Sequence, residues 1–154
     1  MRVRPLAALL CATALVLTAA GCGGGDSEKK KVDPAKAALT AYQDKVNKIC
    51  QDTLVDIQKI GKGLTAQSPT ADKDAAFAGI GDAFLAEITV LRAVKPPAAI
   101  ATDVTAWLAA FTTAATKTKT QGSKLLEQGT PSPFADSDAK ATALGLTGCS
   151  SGTS

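Results

Sequence analysis

The chain has 154 residues, 45% apolar and 20% charged, which fits one globular domain with a short appendage and excludes a disordered composition. Seventeen basic side chains stand against 14 acidic ones; setting aside Arg2 and Arg4, which fall in the leader described below, leaves 15 against 14, so no nucleic-acid footprint is present. Histidine is absent, which excludes a Ser-His-Asp or Cys-His apparatus, a His-ligated zinc and a His-ligated haem, each of which needs an imidazole as base or ligand.

Residues 1–5, MRVRP, carry two arginines, and Leu6 to Ala20, LAALLCATALVLTAA, is an uncharged apolar run followed by Gly21. This is the layout of an export signal over residues 1–21, expected to be removed. As helix the run rises roughly 22 Å against a hydrocarbon core of about 30 Å, so a permanent transmembrane anchor is the weaker reading. Ala19-Ala20-Gly21-Cys22 resembles the lipobox of bacterial lipoproteins. The resemblance implies that the Cys22 thiol receives a diacylglyceryl group and that cleavage leaves Cys22 as the first mature residue. An ordinary secretory cut would instead leave Cys22 as a spare thiol. Two acyl chains hold stably where one anchors only marginally, at about 0.8 kcal/mol per buried CH₂. A diacylated Cys22 therefore stays on the membrane without any protein segment inside it.

Gly23 to Asp33, GGGDSEKKKVD, has no apolar periodicity and reads as a flexible tether with an r.m.s. span of roughly 18 Å. Residues 22–33 thus form the lipidated cysteine and its tether. Lys29, Lys30 and Lys31 are flanked by Asp26, Glu28 and Asp33, which favours a solvated linker over a headgroup-binding patch.

The domain is expected over residues 34–149, ahead of a disordered tail at 150–154. Asp33-Pro34 is an N-cap followed by proline at the first helical position. Leu39, Tyr42, Val46, Ile49, Cys50, Ile57, Ile60 and Leu64 then mark an apolar stripe at three- and four-residue steps, predicting a helix to about Lys62. Ser68-Pro69 repeats the start signal, and Phe77, Ile80, Phe84, Ile88 and Leu91 predict a second helix over roughly 70–94, stopped by Pro96-Pro97. Pro97 opens a third helix through Ile100, Val104, Trp107, Leu108, Phe111, Ala115, Gly122 and Leu125, ending near Gly129 and expected to be the longest element. Ser132-Pro133 opens a short fourth helix with Ala135, Ala139, Ala143 and Leu144 on its inner face, closed by Gly145. No segment alternates with period two and the connections are short. The fold class expected is all-α, an up-down four-helix bundle.

Cys11 leaves with the leader and Cys22 is assigned to lipid, which leaves Cys50 on the inner stripe of the first helix and Cys149 just after the fourth. Outside the cytoplasm such a pair is expected to oxidise. Closing a loop of about 100 residues stabilises by roughly 4 to 5 kcal/mol on the chain-entropy model. A redox role is the weaker reading, because there is no Cys-x-x-Cys and no histidine to lower a thiol pKa. The tether, "NKICQD" in the first helix, the "KPP" break and the terminal "LGLTGC" together resemble small, functionally uncharacterised lipoproteins of high-GC Gram-positive bacteria. The resemblance implies a disulfide-closed helical domain and supplies no activity.

Other motifs read as structure. Ile60-Gly61-Lys62-Gly63-Leu64-Thr65 lacks the spacing and the preceding strand of a phosphate loop, and Gly79-Ile80-Gly81 sits inside a helical stripe, where small residues permit close helix approach. Asp72 with Asp74, and Asp136 with Asp138, complement helix N-termini rather than form a carboxylate pair for metal or acid-base work. Thr112, Thr113, Thr116, Thr118 and Thr120 place hydroxyls on what is expected to be the outer face of the third helix, solvated or open to a partner or a glycan.

The function expected is that of a non-catalytic lipoprotein on the outer face of the cytoplasmic membrane, held there by diacylglyceryl on Cys22 and binding another envelope component. The alternative is a carrier or sensor that holds a small apolar ligand between the helices at Trp107 and Phe111, two side chains whose spacing otherwise marks core packing. No catalytic residue, metal or cofactor is implied, and an enzyme is the least favoured reading.

Overall fold

A computed structural model describes residues 33–127 and 129–150, which belong to one compact unit. The leader 1–21, Cys22, the tether as far as residue 32 and the end at 151–154 lie outside the described residues. Among the described residues the fold is all-helical, with α1 at Pro34–Ile60, α2 at Thr70–Arg92, α3 at Ala101–Gln121 and α4 at Ala135–Ala143. Three short 3₁₀ turns, Ala98–Ile100, Gly122–Leu126 and Thr147–Cys149, join or follow them.

The start signals act in three different ways. Asp33 caps α1 as expected, its Oδ1 accepting from the Ala35 N–H at 2.9 Å with proline next in line. The Ser68 hydroxyl instead closes the preceding turn by accepting from the Thr65 N–H at 2.9 Å, and α2 begins at Thr70 behind Pro69 with no side-chain cap. Ser132 accepts from the Phe134 N–H at 3.3 Å, and α4 starts only at Ala135.

Two expectations are corrected. The longest element is α1, with 27 residues, and α3 stops after 21. Gly122, expected on the inner stripe of a continuing helix, has φ +57° and ends it. The Asp74 carboxylate of α2 accepts from the Ser123 N–H at 2.7 Å, and a Cβ on residue 122 would run into that carboxylate, so only glycine fits the crossing. The chain then continues as the Gly122–Leu126 turn. In α4 the expected inner residues Ala135, Ala139 and Ala143 are exposed, while Phe134, Ser137, Ala141 and Leu144 are buried. Phe134 decides this phase: its ring lies 5.0 Å from Phe84 and 6.1 Å from Phe111, and burying one phenyl ring outweighs burying alanine methyls.

The core joins Val46 of α1, Ile88 and Leu91 of α2, Trp107 and Phe111 of α3, and Leu146 beyond α4. Each fully buried aliphatic side chain stabilises by roughly 1.5 to 3 kcal/mol relative to exposure. α2 packs against both α1 and α3, and α4 packs on α3. Gly81 permits a close α2–α3 approach, with Lys119 backbone in the space a side chain would take, as expected of small residues in a helical stripe. The helical run Ala98–Leu126 is long and apolar enough to cross a membrane by length and composition. Four of its large apolar residues, Val104, Trp107, Leu108 and Phe111, are buried in this core, while Leu126 is exposed.

Candidate functional site

After α4 the chain turns through Gly145, at φ +72°, and runs back onto α1. Each contact there has a sequence reason. The Gln43 side-chain amide donates to the Leu144 carbonyl at 2.8 Å, and Asn47 Oδ1 accepts from the Gly148 N–H at 2.9 Å. Those two residues sit one helical turn apart on α1 and receive the strap at two points. Leu146, with no exposed surface, plugs into the core between them, and a Cβ at Gly148 would lie only 3.0 Å from the Asn47 carbonyl oxygen. Cys149 then meets Cys50 at disulfide distance, with S–S 2.02 Å and Cα–Cα 5.0 Å.

Beside this strap is a small, partly open void of about 10 Å³, lined among others by Cys50, Phe84, Glu87, Phe111, Phe134 and Cys149. It has room for about one water. Glu87 is 4% exposed and its Oε1 has no hydrogen-bond partner. Burial pushes its carboxyl up from 4.5 to about 7, with hydrogen bonding by the Thr53 side chain pulling more weakly the other way. A carboxyl in this setting can hold a proton near neutrality and release it when water enters. The redox-capable group at the void is the disulfide.

Glu87 was not singled out by its chemistry in the sequence, although its position held a signal. It lies three residues after Phe84 and four before Leu91, in phase with the buried stripe of α2. A glutamate there either snorkels out or is buried, and the helical pattern alone does not decide between them.

Trp107 and Phe111 are placed together as successive turns of α3, with ring centroids 6.0 Å apart and planes 17° from parallel. Both are core residues, 1% and 3% exposed. Phe111 lines the water-sized void, which is far smaller than an apolar ligand. Larger spaces lie on the surface. One of about 330 Å³ runs along Leu91, Arg92, Val94, Val104 and Leu108, and one of about 500 Å³ lies beside Asp74, Lys119 and Lys124.

Of the paired carboxylates, Asp74 makes a long-range structural contact and Asp136 a local one. Asp74 bonds to the Ser123 N–H, which holds its carboxyl below the usual range, and Asp136 pairs with Lys140 at 2.6 Å along α4. Among the described residues no three His, Cys, Asp or Glu side chains gather as a metal site. The threonine face of α3 is less available than its composition implies. Thr112, Thr113, Thr116 and Thr120 turn their hydroxyls to carbonyls one turn back, and Thr118 is buried, doing the same at 3.0 Å. Compared with protein-family models, curated proteins and solved structures, the chain matches none.

Proposed function

We propose that the chain is a lipid-anchored envelope protein whose helical domain binds another envelope component without catalysis. On this reading the leader is cut before Cys22, a diacylglyceryl group on that cysteine holds the protein to the outer face of the cytoplasmic membrane, and the tether lets the domain stand off the surface. The observation that carries it is the Cys50–Cys149 pair: a disulfide that ties the end of the domain to its first helix belongs to an oxidising compartment, which agrees with an export leader. Ile60 lies beside Gly79, and Cys50 and Leu54 line the same void as Glu87, which favours α1 and α2 running in opposite directions, as an up-down bundle requires.

The choice of surface binding over a ligand between the helices rests on volume. The space at Phe111 is about 10 Å³, whereas the groove along Leu91, Val104 and Leu108 is about 330 Å³. A carrier of an apolar ligand is the second reading, with that groove rather than the Trp107–Phe111 interior as its seat. Crosslinking in intact membranes tests the first reading. A recurrent neighbouring protein, captured through residues around the groove, is the expected result; a monomer with no recurrent neighbour counts against it. Native mass spectrometry of protein from its own host separates the second, since a bound small molecule would be carried into the spectrum.

A further inference from the structure

Three features meet at the small space beside the C-terminal strap: the disulfide, the side chain of Glu87 with its unpartnered Oε1, and a short turn whose Gly148, Cys149 and Ser150 line the same space. Leu146 is the last firmly rooted residue, fully buried and with its N–H bonded to the Ala141 carbonyl at 2.8 Å. Beyond it, Thr147–Ser150 is braced internally, by the Cys149 N–H to the Leu146 carbonyl and the Ser150 hydroxyl to the Thr147 carbonyl, both at 3.0 Å. Onto α1 it is held by the disulfide and by the Gly148 N–H bond to Asn47 at 2.9 Å. Without the disulfide, that hydrogen bond and a weak 3.8 Å approach of the Cys149 sulfur to the Val46 carbonyl remain.

We propose that Thr147–Ser150 is a lid closed by the Cys50–Cys149 disulfide over Glu87, so that reducing the disulfide and ionising Glu87 each favour the open lid. From α1 the Thr53 hydroxyl and Cys50 face the carboxyl, from α3 Phe111, from the start of α4 Phe134, and from the lid Cys149 and Ser150. Glu87 is the one ionisable side chain among these while the disulfide is intact. With the lid shut, its charge would sit among phenyl rings with one oxygen unpaired. With the lid lifted, water reaches both oxygens and the carboxyl returns to its ordinary range.

The reaction balances with a dithiol as reductant. The dithiol gives two electrons and two protons, each protein sulfur becomes S–H, and the dithiol closes to its own disulfide. Opening then releases one proton from Glu87 to water, wherever the covered carboxyl is neutral and the wetted one is ionised. By linkage, a proton bound more tightly in the closed state makes opening easier as pH rises. A covered value of about 7 against an open value of 4.5 raises the open-to-closed ratio about tenfold between pH 6 and pH 8.

The test equilibrates the full chain and its Glu87→Gln variant with reduced and oxidised dithiothreitol at pH 6, 7 and 8. The Cys50 and Cys149 thiols are then alkylated and quantified by peptide mass spectrometry. The variant carries the ordinary pH dependence of thiol–disulfide exchange, so the ratio of the two reduction constants isolates Glu87. The expected ratio, wild type over variant, rises about tenfold across the range; a ratio independent of pH overturns the coupling. A second measurement needs no substitution: NMR titration of the Glu87 carboxyl in oxidised and in reduced wild type. A midpoint near 7 when oxidised that falls toward 4.5 when reduced, with helical circular dichroism retained, is the expected pair. Equal midpoints, or loss of the helical signal on reduction, overturn a local lid.

Discussion

Gly81 of α2 lies so close to Lys119 of α3 that a Cβ on residue 81 would stand 2.7 Å from the Lys119 backbone nitrogen and 2.8 Å from its Cα. Backbone on the far side cannot rotate away as a side chain can. Gly81→Ala is therefore expected to force the two helices apart and cost about 1 to 3 kcal/mol, despite alanine's better helix propensity. Urea unfolding measures this. A variant as stable as wild type would mean that the helices do not cross there. Gly79, where the added Cβ meets only the Ile60 side chain at 3.4 Å, is the control and should accept alanine with little change.

Stability is expected to fall as pH rises through neutrality. Glu87 has a folded value of about 7 against 4.5, so its protonated form is the one the fold favours. Its contribution is complete below about 4.5, declines as pH rises, and is gone above about 7. A shift of this size corresponds to on the order of 3 kcal/mol. Glu87→Gln removes the slope over that window, whatever constant effect it has. Thermal melts of both proteins from pH 4.5 to 8 check it, and parallel curves contradict a buried acid.

Asp74 acts in the opposite sense. Its carboxyl is held below the usual range by the Ser123 N–H, so what it contributes is present at neutral pH and lost as the solution is acidified through its folded value. Asp74→Asn keeps the size and removes this acid-side loss. Gly122→Ala, at φ +57° and against the same carboxylate, should destabilise at every pH. Denaturant midpoints at pH 3.5 and 7 separate the two effects.

What could be read from the chain divides along physical lines. The stripes at Tyr42, Val46 and Cys50, at Phe84, Ile88 and Leu91, and at Val104, Trp107 and Phe111 are long and carry large side chains, and all nine residues are buried. The fourth stripe rested on three alanines and Leu144; only Leu144 is buried, because alanine burial is worth too little to fix a helix's phase, and Phe134 set it from just outside the helix. The end of α3 depended on Asp74, a residue far off in the chain, so Gly122 could not be told from a small residue in a stripe. Glu87 was hidden for the same reason: Phe111, Phe134 and Gly148–Ser150, which line one small space with it, are all far off in the chain. The pairing of Cys50 with Cys149 was legible because elimination left two cysteines and the helical pattern put one of them inward.

Removing the strap's staple should cost about as much as a large core truncation. Cys149→Ser in a chain that keeps Cys50 is expected to lower stability by roughly 4 to 5 kcal/mol on the chain-entropy model, with Leu146 and the Gln43 and Asn47 hydrogen bonds left to hold the segment. Urea unfolding with and without a dithiol checks it: the wild type should lose the same amount on reduction, while the variant should be insensitive to the reductant.

The most direct measurement of the whole account is mass spectrometry of the protein taken from its own membranes, intact and after digestion without reduction. The account predicts a chain that begins at Cys22, carries diacylglyceryl on that sulfur, and yields a peptide in which Cys50 is linked to Cys149. A soluble chain with a free Cys22 thiol, or Cys22 linked to either of the other two cysteines, would contradict it.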